Sequence, residues 1–191
     1  MVEIIARCGG IFKFSHVKDV CNPKALHQYL QGQKQLTPLV KKWRGLGEYI
    51  YILPRKLTEP YWNLGTQIND YKVYRSLALI GYYVAQANLI MAPEERRRLL
   101  PDYPQRAFNG VYYCEDSFDL KTNVVVVDFY KPEAKIYKIL EYFHEEMEHK
   151  KTPRYHIITN KNRAELLNKI NNKYPKLTVE VFQNEKLLNI L

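Results

Sequence analysis

Cysteine is scarce. Cys8, Cys21 and Cys114 are all that the chain holds, an odd number at wide spacings that gives neither a disulfide framework nor zinc-ligand spacing, so reduced and mostly buried thiols are expected. No apolar run approaches the roughly twenty residues that span a bilayer, and no apolar signal-type segment follows Met1, so a cytoplasmic protein without membrane contact is expected. Phosphate-cradling glycine loops and dinucleotide fingerprints are missing, as is a serine or cysteine nucleophile with a convincing base, so no cofactor, bound metal or catalytic residue is expected. His144 and His149 are five apart on one helical stretch, turned about 140° from each other, which is not the HExxH metal spacing. Internal repeats, low-complexity tracts and ribonucleoprotein-type signatures are also lacking.

Positive charge is present and unevenly placed. The net charge is +9, and residues 1–60 hold ten basic against four acidic side chains, while 61–131 are balanced at eight each and 132–191 hold eleven against eight. A basic first segment favours a polyanion-binding end. Within it, Leu39–Arg44 and Glu48–Leu53 are apolar or aromatic runs joined by Arg44-Gly45-Leu46-Gly47, whose glycines suit a tight reversal. Lys41, Lys42 and Arg44 crowd the end of the first strand, where a protruding hairpin would hold them against a phosphate backbone. The competing interpretation is a strand edge guarded by lysines. Upstream, Asn22 and Pro23 form a helix start, and the spacing predicts a helix to about Gln33 that buries Ala25, Leu26, Tyr29 and Leu30. Lys24, His27, Gln28 and Gln31 then face outward, residue types that can hydrogen-bond base edges, although a solvated surface helix shows the same pattern. Ser15 is the expected cap of a shorter helix through Cys21, with Phe12, Phe14, Val17 and Val20 packing inward. Two helices followed by a basic hairpin is the layout of a winged helix-turn-helix. Its candidate duplex-DNA contacts are Lys24, His27, Gln28, Gln31, Lys34, Lys41, Lys42 and Arg44. The helix before them has only Met1 to Cys8, short against an average helix.

The charged, proline-marked stretch Pro54–Pro60 is read as a boundary between a domain at 1–57 and a second at 58–191. Asp70 opens a long helix to about Met91, with Val73, Leu77, Ile80, Val84 and Ala87 at helical spacing until Pro93 halts it. Glu94–Leu100 is a charged helix whose Arg96-Arg97-Arg98 run reads as a solvated face. A strand at Val111–Glu115 and the run Val124–Tyr130 follow, the latter opening on four unbroken β-branched valines that indicate a strand covered on both faces. A helix from Pro132 to about His149, a strand at Arg154–Thr159, a helix at Lys161–Asn172 and a strand at Leu177–Phe182 complete a mixed α/β pattern with a partly parallel sheet. The surplus of tyrosine on the long helix, Tyr71, Tyr74 and Tyr82, suggests self-association through the second domain, a homodimer being expected.

The order helix, strand, strand, helix, strand, helix, strand resembles the PD-(D/E)xK restriction-endonuclease-like core, where carboxylates gather Mg²⁺. Here that motif is broken: Asp128 is followed on its strand face by Tyr130, and Lys131 falls on the opposite face. Asp102, Glu115, Asp116 and Asp119 remain as scattered acids. A winged helix joined through a long helix to a degenerate nuclease-like domain resembles the replication-relaxation and relaxosome accessory proteins of bacterial mobile elements. The matching stretches are Asn22–Leu53, "NDYKVYRSLAL" at Asn69–Leu79, Pro101-Asp102 and "VVVVDFYKPEAKIYKILEYF" at Val124–Phe143. This chain departs from that family in its "VDFYK" strand, where an acid-x-acid pattern is more usual. The resemblance implies a non-enzymatic, duplex-DNA-binding accessory factor for plasmid replication or conjugative transfer, partnered by a relaxase or replication initiator. A winged-helix transcriptional regulator and a divergent metal-dependent nuclease are the alternatives.

Overall fold

The computed structural model describes residues 1–32, 37–38, 50–62, 68–99, 110–115, 122–128, 132–147, 154–159, 162–175 and 177–183, a mixed α/β arrangement with two sheets. The N-terminal part comprises α1 (Val2–Arg7), β1 (Ile11–Phe12), α2 (Phe14–Val17), α3 (Pro23–Gly32), β2 (Thr37–Pro38) and β3 (Tyr51–Ile52). β3 is central in an antiparallel sheet, pairing Ile52 with Ile11 of β1 and with Thr37 of β2. A short α4 (Arg55–Thr58) occupies the proline-marked stretch, and α5 (Asp70–Gln86) follows. The remainder runs β4 (Leu89–Ile90), α6 (Pro93–Leu99), β5 (Val111–Glu115), β6 (Thr122–Asp128), α7 (Glu133–Met147), β7 (Arg154–Thr159), α8 (Ala164–Lys173) and β8 (Val179–Gln183). These strands form a second sheet in chain order, antiparallel from β4 to β6 and parallel from β6 to β8. Each parallel step carries a helix, α7 or α8, because parallel neighbours need a long crossover.

Burial explains the β-branched run. Asn123 to Asp128 are all buried. Val125 and Val127 pack with α5, whereas Val124 and Val126 pack with Ile136, Leu140 and Phe143 of α7 and Leu166 and Ile170 of α8. Both faces of β6 are therefore covered, and neither can carry the polar alternation of a half-exposed strand. On α5, burial extends from Val73 through Leu77, Ala78, Leu79 and Ile80 to Tyr82. One buried cluster joins Ile5, Phe12, Leu30 and Leu53 of the N-terminal part through Leu77 and Ile80 to Val125, Val127 and Ile158 of the second sheet. The core thus crosses Pro54–Pro60 without interruption.

Two glycines let the N-terminal part approach α5. Gly9 and Gly10 have φ of 104° and 76°, a region that costs an L side chain about 1–2 kcal/mol. A Cβ at Gly9 would lie 2.3 Å from Ser76 Oγ, and one at Gly10 would lie 2.3 Å from Thr58 Cγ2. The Gly10 carbonyl also accepts from Leu53 N–H at 2.8 Å, extending the β1–β3 contact.

Several sequence expectations are corrected. Ser15 does not cap α2: the helix begins at Phe14 after an extended Lys13, with no side-chain cap. Val20 is largely exposed, as are Ala25 and Tyr29 of α3, whose buried side is reduced to Leu26 and Leu30. The first β2–β3 pairs lie at Thr37–Pro38, ahead of the strand read from Leu39, and the hairpin from Leu39 to Tyr49 lies outside the described residues. α5 does open at Asp70, behind an Asn69 cap that accepts from Lys72 N–H at 3.0 Å. The helix stops at Gln86 because Ala87 turns left-handed (φ 56°), and Leu89–Ile90 becomes an edge strand against Cys114–Glu115. Pro93 starts α6 rather than ending α5. Tyr82 is core, and Tyr71 and Tyr74 are half-buried, so the tyrosine surplus on α5 is largely spent within the chain. Arg96 is half-buried over the Tyr113 ring, not on a purely solvated face. His144 likewise packs against the Tyr174 ring.

An ion pair ties α1 to α6. Arg7 bonds Glu95 and, at 2.9 Å, Glu3, while Ala92 N–H donates to Glu95 Oε2 at 2.9 Å. Burial alone would raise the Glu95 carboxyl, but the Arg7 and Ala92 hydrogen bonds and the Arg7 charge outweigh it and hold it below its ordinary value of 4.5. A lowered folded-state value stabilises above pH 4.5 and loses that contribution as pH falls through it. Glu95→Gln should therefore lower the urea midpoint at pH 7 and narrow its gap from wild type as pH drops from 4.5 towards 3. A gap constant across that range would contradict the pairing.

Candidate nucleic-acid interface

The residues proposed for DNA contact begin on α3, whose start follows the sequence signal. Asn22 Oδ1 accepts from the backbone N–H of Lys24 at 3.0 Å and of Ala25 at 3.3 Å, and Pro23 occupies the first helical position, where no N–H is needed. At 100° per residue, Gln31, Lys24, Gln28, Gly32, Ala25 and Tyr29 follow one another around a single arc. All six are exposed, Tyr29 at 57%. No acidic residue occurs on this helix. The arc is about as wide as the face a recognition helix presents to a major groove, and its glutamines can pair with adenine and its lysine with guanine or phosphate.

His27 behaves differently from its three companions. It is half-buried, with its ring edge-on to Phe14 at 5.2 Å and near Tyr51 at 6.3 Å. Phe14 in turn meets Phe12 at 5.2 Å and Tyr51 at 4.8 Å. This cluster fastens α3 to α2 and β3 and fixes how the exposed arc is presented. His27 is thus partly engaged in packing against α2 and β3. Lys24, Gln28 and Gln31 share the exposed arc, while Lys34, Lys41, Lys42 and Arg44 lie outside the described residues. Tyr29 was missed by sequence reasoning because it was counted with the apolar stripe. The available signal was the aromatic run Phe12, Phe14 and Tyr51, which draws the His27 side of the helix inward instead.

The acids weighed for metal chemistry are placed as follows. Asp128, at the end of β6, is fully buried and held by Arg163 of the α8 start: Nε donates to Oδ2 at 2.7 Å and Nη2 at 2.5 Å. Thr159 Oγ1 adds a bond at 3.4 Å, and Glu133 Oε1 accepts from Arg163 Nη1 at 3.5 Å. Glu115 ends β5 on the exposed side, and Asp102, Asp116, Asp119, Tyr130 and Lys131 lie outside the described residues. Among the described residues no group of three or more metal-ligating side chains gathers, and no helix is long and apolar enough to cross a membrane. The Asp128–Arg163 pair locks α8 to the end of the central strand.

Comparison with known proteins gives no match: no family model, no curated protein and no solved structure matches this chain.

Removing the Asp128 charge leaves the buried Arg163 guanidinium with Glu133 alone, at 3.5 Å. Asp128→Asn should cost about 3–5 kcal/mol, and the apolar double change Asp128→Leu with Arg163→Met less than the sum of the two single changes. Urea midpoints of wild type, Asp128→Asn, the two single apolar variants and the double variant check this, and additive costs would contradict the coupling.

Proposed function

We propose that the N-terminal part is a winged helix-turn-helix that binds duplex DNA, with α3 in the major groove and the hairpin carrying Lys41, Lys42 and Arg44 on the backbone. The observation that carries this reading is the exposed, acid-free arc of α3, set by the Phe14–His27–Tyr51 cluster at the side of an antiparallel sheet. The order α1, β1, α2, α3, β2, β3 with strands arranged β1-β3-β2 supports it, since that is the layout of winged helices. The excess positive charge of residues 1–60 supports it independently, because phosphate neutralisation supplies much of the affinity of such proteins.

The second part is a non-catalytic α/β platform that resembles a degenerate nuclease-like domain. Its sheet, antiparallel up to β6 and parallel beyond, supports that likeness, and the engagement of Asp128 by Arg163 supports a loss of metal chemistry. In this proposal the protein is an accessory factor that marks an origin of replication or transfer on a mobile element and presents the platform to a relaxase or initiator. A transcriptional regulator would use the same reader.

Fluorescence anisotropy with labelled duplexes over a range of salt tests the reading. Replacing Lys41, Lys42 and Arg44 by alanine should flatten the slope of log affinity against log salt by about two to three units, at about 0.9 counterion per phosphate. Gln28→Ala and Gln31→Ala should each cost about 1–3 kcal/mol on a selected site and little on random duplex. Absence of salt-dependent binding to any duplex would overturn the proposal.

A further inference from the structure

Arg75 of α5 is only 8% exposed, yet its Nε and Nη2 have no hydrogen-bond partner. Among the described residues no carboxylate pairs with it, in contrast to Arg7 with Glu95 and Arg163 with Asp128. Its guanidinium carbon lies 4.4 Å from the centre of the Trp62 ring, which is itself pinned by an Nε1–H bond to the Arg7 carbonyl and packed against Tyr112 at 5.4 Å. A ring face offsets part of the cost of desolvating a guanidinium but supplies no negative charge.

The neighbouring groups are neutral donors. Burial pushes the Tyr112 phenol far above its ordinary value, the nearby Arg75 charge opposing only part of that rise, and burial likewise raises Tyr71. Neither phenol can therefore serve as a phenolate counter-ion near neutral pH. Tyr112 interacts with Arg75 and with the Tyr71 oxygen, which leaves the Tyr71 hydroxyl proton free to donate, and the fully buried Ser76 Oγ has no partner. A Cβ built on Gly9 would lie 2.3 Å from Ser76 Oγ and 3.2 Å from Arg75 Nη2, so these two unpartnered donors lie close together where the Gly9 backbone packs against α5.

We propose that Arg75, Ser76 and Tyr71 form a binding site for a small tetrahedral oxyanion of the phosphate class. The free Nε–Nη2 edge of a guanidinium is a planar fork matched to two oxygens of such an ion. The hydroxyls of Ser76 and Tyr71 supply donors for the others, and a water molecule would satisfy hydrogen bonds while leaving the charge unmet. Its position joins three segments: the Gly9–Gly10 turn of the N-terminal part, the Trp62 connection and β5 through Tyr112. An anion bound there would clamp the N-terminal part to the second sheet, separately from the surface of α3.

The test is thermal unfolding of the full chain in potassium phosphate against potassium chloride at equal ionic strength, for wild type and Arg75→Met, with calorimetric titration of inorganic phosphate. Wild type should gain about 5–10 °C over the variant once phosphate exceeds its dissociation constant a hundredfold. Without phosphate the variant should be at least as stable as wild type, because an unpaired buried charge has been removed. Ser76→Ala and Tyr71→Phe, which keep the guanidinium, should each weaken phosphate binding roughly tenfold or more and keep the site testable if Arg75→Met fails to fold. Equal phosphate shifts in wild type and Arg75→Met would assign the effect to solvent exclusion and overturn the site. Acetate acting as well as phosphate would overturn the tetrahedral assignment, and absence of heat or shift with any anion would overturn the proposal.

Discussion

Everything in this chain leans on α5 being buried from two sides. Its Leu77 and Ile80 belong to one cluster with Ile5, Phe12 and Leu53 on one flank and Val125, Val127 and Ile158 on the other. An ordinary surface helix buries one stripe and solvates the rest. Here even Arg75 and Ser76, which a surface helix would turn outward, are enclosed. The three-stranded sheet is braced by α5, against which Ile11 and Phe12 of β1 pack in the same cluster. The left-handed glycines at 9 and 10 are what allow the approach, since any side chain there would strike Ser76 or Thr58.

Charge inside the protein is handled by placement. Arg163 meets Asp128 at the end of the central strand and Arg7 meets Glu95 between α1 and α6, so each of these two cations finds a carboxylate from a distant part of the chain. Such pairs add little net stability against apolar substitutes, but breaking one is costly, so they enforce a single arrangement. A second polar chain links Tyr82, which accepts from Asn88 at 3.0 Å, with His156 and with Cys114 at 3.4 Å. It lies on the α5 face of the sheet, where purely apolar packing would leave those groups unsatisfied.

The strands of the second sheet were legible because β-branched and aromatic runs bounded by polar turns have no helical alternative: Val111–Glu115 and Arg154–Thr159 are found where read. The end of α5 was not legible. Ala87 and Asn88 carry neither glycine nor proline, and Ile90 and Met91 continue the helical spacing, so only the pull of an open β5 edge explains why the chain turns and pairs there. On α3 the helix and its Asn22 cap were legible, whereas the extent of its buried side was not, because Ala25 and Tyr29 continue the apolar spacing yet are exposed, while His27 is half-buried against Phe14 and Tyr51. Burial of Arg75 left no trace in local pattern. It follows from long-range packing of Trp62 and Tyr112, which no sequence window contains.

If α5 unites both halves, they must unfold together. Differential scanning calorimetry of the full chain measures this directly: a single transition whose van't Hoff enthalpy equals the calorimetric enthalpy is expected, with Leu77→Ala lowering that one transition as a whole. Two resolved transitions, with Leu77→Ala moving only one of them, would contradict the account.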